Sequence, residues 1–81
     1  MRLDKWLKTS RLIKRRTVAQ EACDGGCVSV NGRTAKPSLT LKEGDRVEIT
    51  LGSRTLRVEV LSTEENVRKD DASAMYREIA G

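Results

Sequence analysis

The chain has 81 residues, 37% hydrophobic and 35% charged, with one Trp, one Tyr and no Phe, which leaves room for one modest core and disfavours a deep catalytic pocket. Histidine is absent, and with it the commonest general base, the commonest metal ligand and any Ser-His or Cys-His nucleophile pair. The formal net charge of +4 is unevenly spread: residues 1–20 carry seven basic side chains against one acid, residues 21–60 carry six of each sign, and residues 61–81 carry three basic against five acidic.

Leu3, Trp6 and Leu7 recur at i, i+3 and i+4, which predicts a short helix from Arg2 to about Ser10. Trp6 reads as a packing anchor rather than a base-stacking platform, and Arg2, Lys5 and Lys8 lie off its stripe. Asp4 is the odd acid in this basic run; it either caps the helix or holds a neighbouring arginine in position. After Leu12 and Ile13, the stripe Val18, Ala19, Ala22 and Cys23 predicts a second helix from Thr17 to Asp24, stopped by Gly25-Gly26. Lys14, Arg15 and Arg16 crowd its amino-terminal end, where unpaired N–H groups and the helix dipole already disfavour cations. A phosphate would resolve that conflict.

Cys27 to Val30 alternates as a strand, and Asn31-Gly32 is a strong hairpin signal. The chain returns over Arg33 to Lys36 and is broken by Pro37. A turn at Lys42-Glu43-Gly44-Asp45 leads into two alternating runs, Arg46 to Leu51 and Thr55 to Leu61, joined as a hairpin at Gly52-Ser53. Ser62 to Lys69 reads as polar loop, and Ala72, Met75, Tyr76 and Ile79 as a short amphipathic tail helix capped by Asp70 or Asp71. That tail either docks on the sheet or engages a protein partner. The expected division is a folded unit over 1–61 and a loop with tail helix over 62–81.

No phosphate-binding glycine loop and no metal-like carboxylate cluster is present, so no catalytic residue, cofactor or metal is expected. Cys23 and Cys27 read as small core or boundary residues of a reducing compartment, and Glu64-Glu65 and Asp70-Asp71 as solubility or capping pairs. No apolar run nears the roughly 20 residues of a spanning helix, and the amino terminus lacks a signal-peptide stretch, so a cytoplasmic location is expected. Seven like charges within fifteen positions call for a polyanion, and with little apolar surface beside them a nucleic-acid backbone fits better than a membrane. Neither helix carries the Asn/Gln/Arg set expected for reading a DNA major groove.

Arg2-Leu3-Asp4-Lys5-Trp6-Leu7, Lys14-Arg15-Arg16-Thr17, Gly26-Cys27-Val28-Ser29-Val30-Asn31-Gly32 and Lys42-Glu43-Gly44-Asp45-Arg46-Val47, in this order, resemble the alpha-L RNA-binding domain named after ribosomal small-subunit protein four. The resemblance implies an α+β fold, with two amino-terminal helices packed on a small bent antiparallel sheet. It also implies that RNA lies along the helix face and sheet edge, with Arg2, Lys5, Arg16, Lys36 and Ser38 on that side; the basic run itself adds Arg11, Lys14 and Arg15 to the expected backbone clamp. Where that family often has Ser as a cap before Arg16, this chain has Arg15, so an uncapped second helix is expected. Over the whole chain, including Ser10 to Thr17 and Ala72 to Tyr76, the pattern is similar to small bacterial ribosome-associated quality-control members of the family. That implies binding to a stalled large ribosomal subunit, through ribosomal RNA and peptidyl-tRNA, beside the elongator RqcH, which adds alanine to the nascent chain; the free protein is expected to be a monomer. The sibling reading is a heat-shock-type protein that recognises free large subunits with nascent chains, and a third is an adaptor recruiting a protein through the tail.

Overall fold

The computed structural model describes residues 1–65 and 67–79; Asn66, Ala80 and Gly81, the last two at the end of the expected tail, lie outside the described residues. Helices α1 (Leu3–Thr9) and α2 (Arg16–Asp24) open the chain. Strands β1 (Val28–Val30), β2 (Arg33–Thr34), β3 (Arg46–Leu51) and β4 (Arg54–Val60) follow, then a 3-10 helix (Lys69–Met75) and β5 (Tyr76–Glu78). The strands form one sheet in the order β2-β1-β3-β4-β5, every neighbouring pair antiparallel. This is the expected α+β class.

Period-two alternation divides the sheet into two faces. Val28 and Val30 on β1, Val47 and Ile49 on β3, and Val58 and Val60 on β4 are buried, and form one cluster with Leu3, Trp6 and Leu7 of α1 and Ala19 and Cys23 of α2. The opposite face is polar, and its charges meet across strands: Arg57 Nε lies 3.1 Å from Glu48 Oε2, and Arg77 Nη2 lies 2.7 Å from Glu59 Oε1. Asn31 and Gly32 both take left-handed φ, 53° and 85°, as the two-residue turn between β1 and β2 requires. Asn31 also ties that turn to β3, because its Oδ1 accepts the Arg46 main-chain N–H at 3.0 Å.

Trp6 is fully buried, and its indole Nε1–H donates to the Ser62 carbonyl at 2.9 Å. The ring is thus a packing anchor that also fixes the chain leaving β4. The loop after Pro37 makes no strand of its own, but it satisfies the start of α1: Leu3 N–H donates to Leu39 O at 2.8 Å and Asp4 N–H to Pro37 O at 3.1 Å.

Two expectations need correction. Val18 is 44% exposed, since a helix of nine residues lies on the core through a narrower stripe, here Ala19 and Cys23. The tail is helical only over Lys69–Met75, as a 3-10 turn whose N-cap is Arg68 with no side-chain cap, and then becomes β5. The repeat is three there, so Ala72 and Met75 are both buried. Beyond Met75, the free edge of β4 offers ladder partners that an isolated helical turn lacks: Val60 faces Tyr76, Glu59 faces Arg77 and Val58 faces Glu78.

Candidate nucleic-acid interface

The basic face is organised around a buried carboxylate. Asp4 has no exposed surface, because it lies in the first turn of α1 where α2 crosses it. Its Oδ2 accepts from Gln20 Nε2 at 2.9 Å, Arg16 Nε at 3.3 Å and Arg2 Nη2 at 3.3 Å. Its Oδ1 accepts from the Lys5 main-chain N–H at 2.8 Å and Arg16 Nη2 at 3.5 Å. Of the two roles expected of it, Asp4 takes the second: the N-cap of α1 is Arg2, with no side-chain cap bond, and Asp4, inside the first turn, holds two arginines, from two different elements rather than one. Burial alone would push its carboxyl up, but the bonds from Gln20 and Arg16, the Lys5 N–H and the Arg16 charge hold it below the ordinary carboxylate value. It stays ionised, so the two guanidiniums keep their anchor at neutral pH.

An arginine has five N–H donors in a fixed plane. Arg16 spends its Nε and one terminal nitrogen on Asp4, and Arg2 spends one terminal nitrogen; both side chains remain about half exposed. Their remaining donors have no partner among the described residues and sit on side chains that stay open to solvent, an arrangement suited to phosphate oxygens.

The side chains of the other six expected residues do not join that cluster. Lys5 pairs through Nζ with Glu65 Oε1 at 3.2 Å. Arg11 and Lys14 line a groove with Lys8, Thr9, Glu65 and Val67. Arg15 is the exposed N-cap of α2, and α2 has neither a side-chain cap nor an acid in its first turn, as expected from the missing serine. Lys36 and Ser38 are exposed and line a second groove with Arg33, Leu39 and Thr40. Thr40 is bridged to Arg2, so this groove adjoins the arginine pair from the sheet side. Among the described residues, Lys8, Arg11, Lys14 and Arg15 form no ion pair.

Arg11 carries a second distinction: its φ is 64°, the left-handed region that glycine usually fills after a helix. Its N–H donates to Lys8 O at 3.0 Å, ending α1 and starting the turn toward α2. A side chain there costs on the order of 1–2 kcal/mol in backbone strain.

Sequence reading missed Gln20, Lys8, Thr9 and Glu65. Gln20 stands four residues after Arg16, and Lys8 three after Lys5, spacings that place each pair on one helix face. For Glu65 the local sequence carried no signal, since its position depends on Trp6 holding the distant Ser62.

Residues 1–47 match the S4 domain family. The chain belongs to that family. It is 52% identical over 80 residues to the RQC P-site tRNA stabilizing factor of Streptococcus pneumoniae, covering 99% of this chain and 91% of that one. It is 51% identical over 76 residues to the protein of the same name from Halalkalibacterium halodurans, covering 94% and 86%. Among solved structures, the trimeric Heat Shock Protein 15 of Vibrio cholerae superposes with a TM-score of 0.91 at 33% identity, over 99% of this chain and 82% of that one. The S4 match ends at Val47, within β3; β4, the loop carrying Glu65, and β5 lie beyond it.

Proposed function

We propose that this protein is a non-catalytic, cytoplasmic RNA-binding factor that grips the large ribosomal subunit and stabilises a P-site peptidyl-tRNA during ribosome-associated quality control. In this reading Arg2 and Arg16, splayed from Asp4, take backbone phosphates, Lys5, Arg11, Lys14 and Arg15 extend the contact along the helices, and Lys36 and Ser38 extend it along the sheet edge. The observation that carries it is the Asp4 cluster, a buried acid whose visible effect is to aim two arginines outward. Identities near 50% to factors named for P-site tRNA stabilisation support the ribosomal state. Action beside RqcH during alanine tailing, as a monomer, completes the proposal.

Arginines that contact phosphate carry little base information, so selectivity for one ribosomal state would come from meeting ribosomal RNA and tRNA together. The heat-shock-type reading has the structural likeness to Heat Shock Protein 15 in its favour, whereas residues 61–81 are net acidic. The adaptor reading loses much of its surface, because Ala72 and Met75 are buried.

Co-sedimentation with whole ribosomes, empty large subunits and large subunits carrying peptidyl-tRNA tests the proposal. The expected result is selective binding to the tRNA-bearing subunit, lost in Arg16→Ala. Equal binding to all three, weakened only by salt, would reduce the protein to a general basic RNA binder.

A further inference from the structure

The acidic loop after β4 reaches the basic helical face. Trp6 holds Ser62 through the 2.9 Å indole bond, and Leu61 and Ser62 donate their N–H groups to Met75 O at 2.8 and 3.2 Å. The chain is therefore pinned on both sides just before the acids, and Glu64 N–H donates to Ser62 Oγ at 3.2 Å. Glu65 then places its carboxylate 3.2 Å from Lys5 and on the groove that holds Lys8, Arg11 and Lys14. Elsewhere, Glu48 and Glu59 are matched to Arg57 and Arg77 by strand register. Glu65 has no such register partner, and it meets a groove whose cations, Lys8, Arg11 and Lys14, form no ion pair among the described residues.

We propose that Glu65 is an affinity-setting residue, an internal anion occupying the phosphate position beside Lys5 that an RNA backbone must displace. The inference rests on the RNA-binding reading above and adds an acid that opposes binding. The tether keeps the carboxylate at high effective concentration, so the competition is continuous and independent of protein concentration. An exposed pair of this kind is weak, which makes it displaceable: its loss corresponds to about two- to fivefold in affinity.

The test is fluorescence anisotropy with a fluorescein-labelled RNA hairpin at fixed salt, comparing wild type with Glu65→Gln, Glu78→Gln, Lys5→Ala and Lys5→Ala/Glu65→Gln. Glu78 lies on β5 and is neither paired with Lys5 nor part of the groove beside it, so its variant makes the same charge change outside that contact. Glu65→Gln is expected to tighten binding about two- to fivefold more than Glu78→Gln, with most of that gain gone when Lys5 is absent. Equal effects of Glu65→Gln and Glu78→Gln, with Lys5→Ala still weakening binding, would overturn the assignment and leave the RNA-binding reading standing. If Lys5→Ala and a parallel Arg16→Ala both bind as wild type does, the RNA-binding reading falls and takes this one with it.

Discussion

The two charged surfaces of this molecule solve the same problem in opposite ways. On the outer face of the sheet, opposite charges meet in cross-strand register, Glu48 with Arg57 and Glu59 with Arg77, so the surface is satisfied without a partner. On the helical face, positive charge accumulates, and among the described residues the carboxylates that pair with it are the buried Asp4 and the exposed Glu65. Asp4 aims its arginines rather than cancelling the face. A surface whose charges are answered internally contributes to the fold, whereas one that is oriented and left in excess is built for something outside it.

The comparison is sharpest if one arginine is removed from each surface. Arg16→Ala is expected to cost at least about tenfold in affinity for large subunits carrying peptidyl-tRNA, the scale of a charge-assisted phosphate contact. Arg57→Ala is expected to change it less than about twofold, because its charge is already matched and the pair is exposed. Co-sedimentation at fixed salt measures both, and equal losses would erase the distinction. The salt dependence follows: if four to six helical side chains pair with phosphates, the slope of log K against log salt should be on the order of −3 to −5.

Asp4→Asn is expected to lower stability by about 1–3 kcal/mol, since a buried acceptor of several donors loses its charge. The pH dependence has a definite sign. The Asp4 pKa in the fold lies below its ordinary 3.8, so the stability it contributes is complete above that value and is lost as pH falls through it toward the folded value. Thermal melts from about pH 5 to about pH 3 should fall more steeply for wild type than for Asp4→Asn. Parallel curves would mean that the carboxylate contributes nothing as an anion.

Arg11→Gly should leave stability unchanged or raise it by up to about 1 kcal/mol, because glycine relieves a left-handed φ at some cost in chain entropy. RNA affinity should fall severalfold in the same variant. A clear drop in stability would show instead that the arginine is held for its packing. The smallest effect concerns the thiols. Burial first, then the charges of Asp4 and Asp24, push Cys23 up to about 11, while Cys27 is only half-buried. Alkylation of the native protein at mild pH should therefore label Cys27 first, and equal rates would contradict the packing around Cys23.

Much of this was legible in the sequence, for reasons that are local. Leu3, Trp6 and Leu7 marked α1 because a 3.6-residue stripe is written into adjacent turns of chain, and Asn31-Gly32 marked its hairpin because few dipeptides accept two left-handed residues. The alternation of Arg46 to Leu51 likewise marked β3. What escaped depended on distant partners. The tail's apolar spacing fitted an α-helix, but the open edge of β4 drew Tyr76 to Glu78 into the sheet, an outcome decided by a strand more than fifteen residues earlier. Seven of the eight expected contact residues were visible as charges and Ser38 only through the family pattern, yet their grouping into an Asp4 pair, a groove at Arg11 and Lys14, and a sheet-side groove at Lys36 and Ser38 required the crossing of α1 and α2 and the docking of 37–40 on Arg2.

Asp4 and Glu65 also separate orientation from net charge, since removing either acid makes the protein more positive by the same amount. The most direct test of the account is the affinity of folded Asp4→Asn for large subunits carrying peptidyl-tRNA, with circular dichroism confirming the fold at the assay temperature. Arginine positioning predicts weaker binding than wild type, approaching that of Arg16→Ala, despite the added positive charge. Binding as tight as or tighter than wild type would show that charge alone governs the interface and that the buried carboxylate does not aim it.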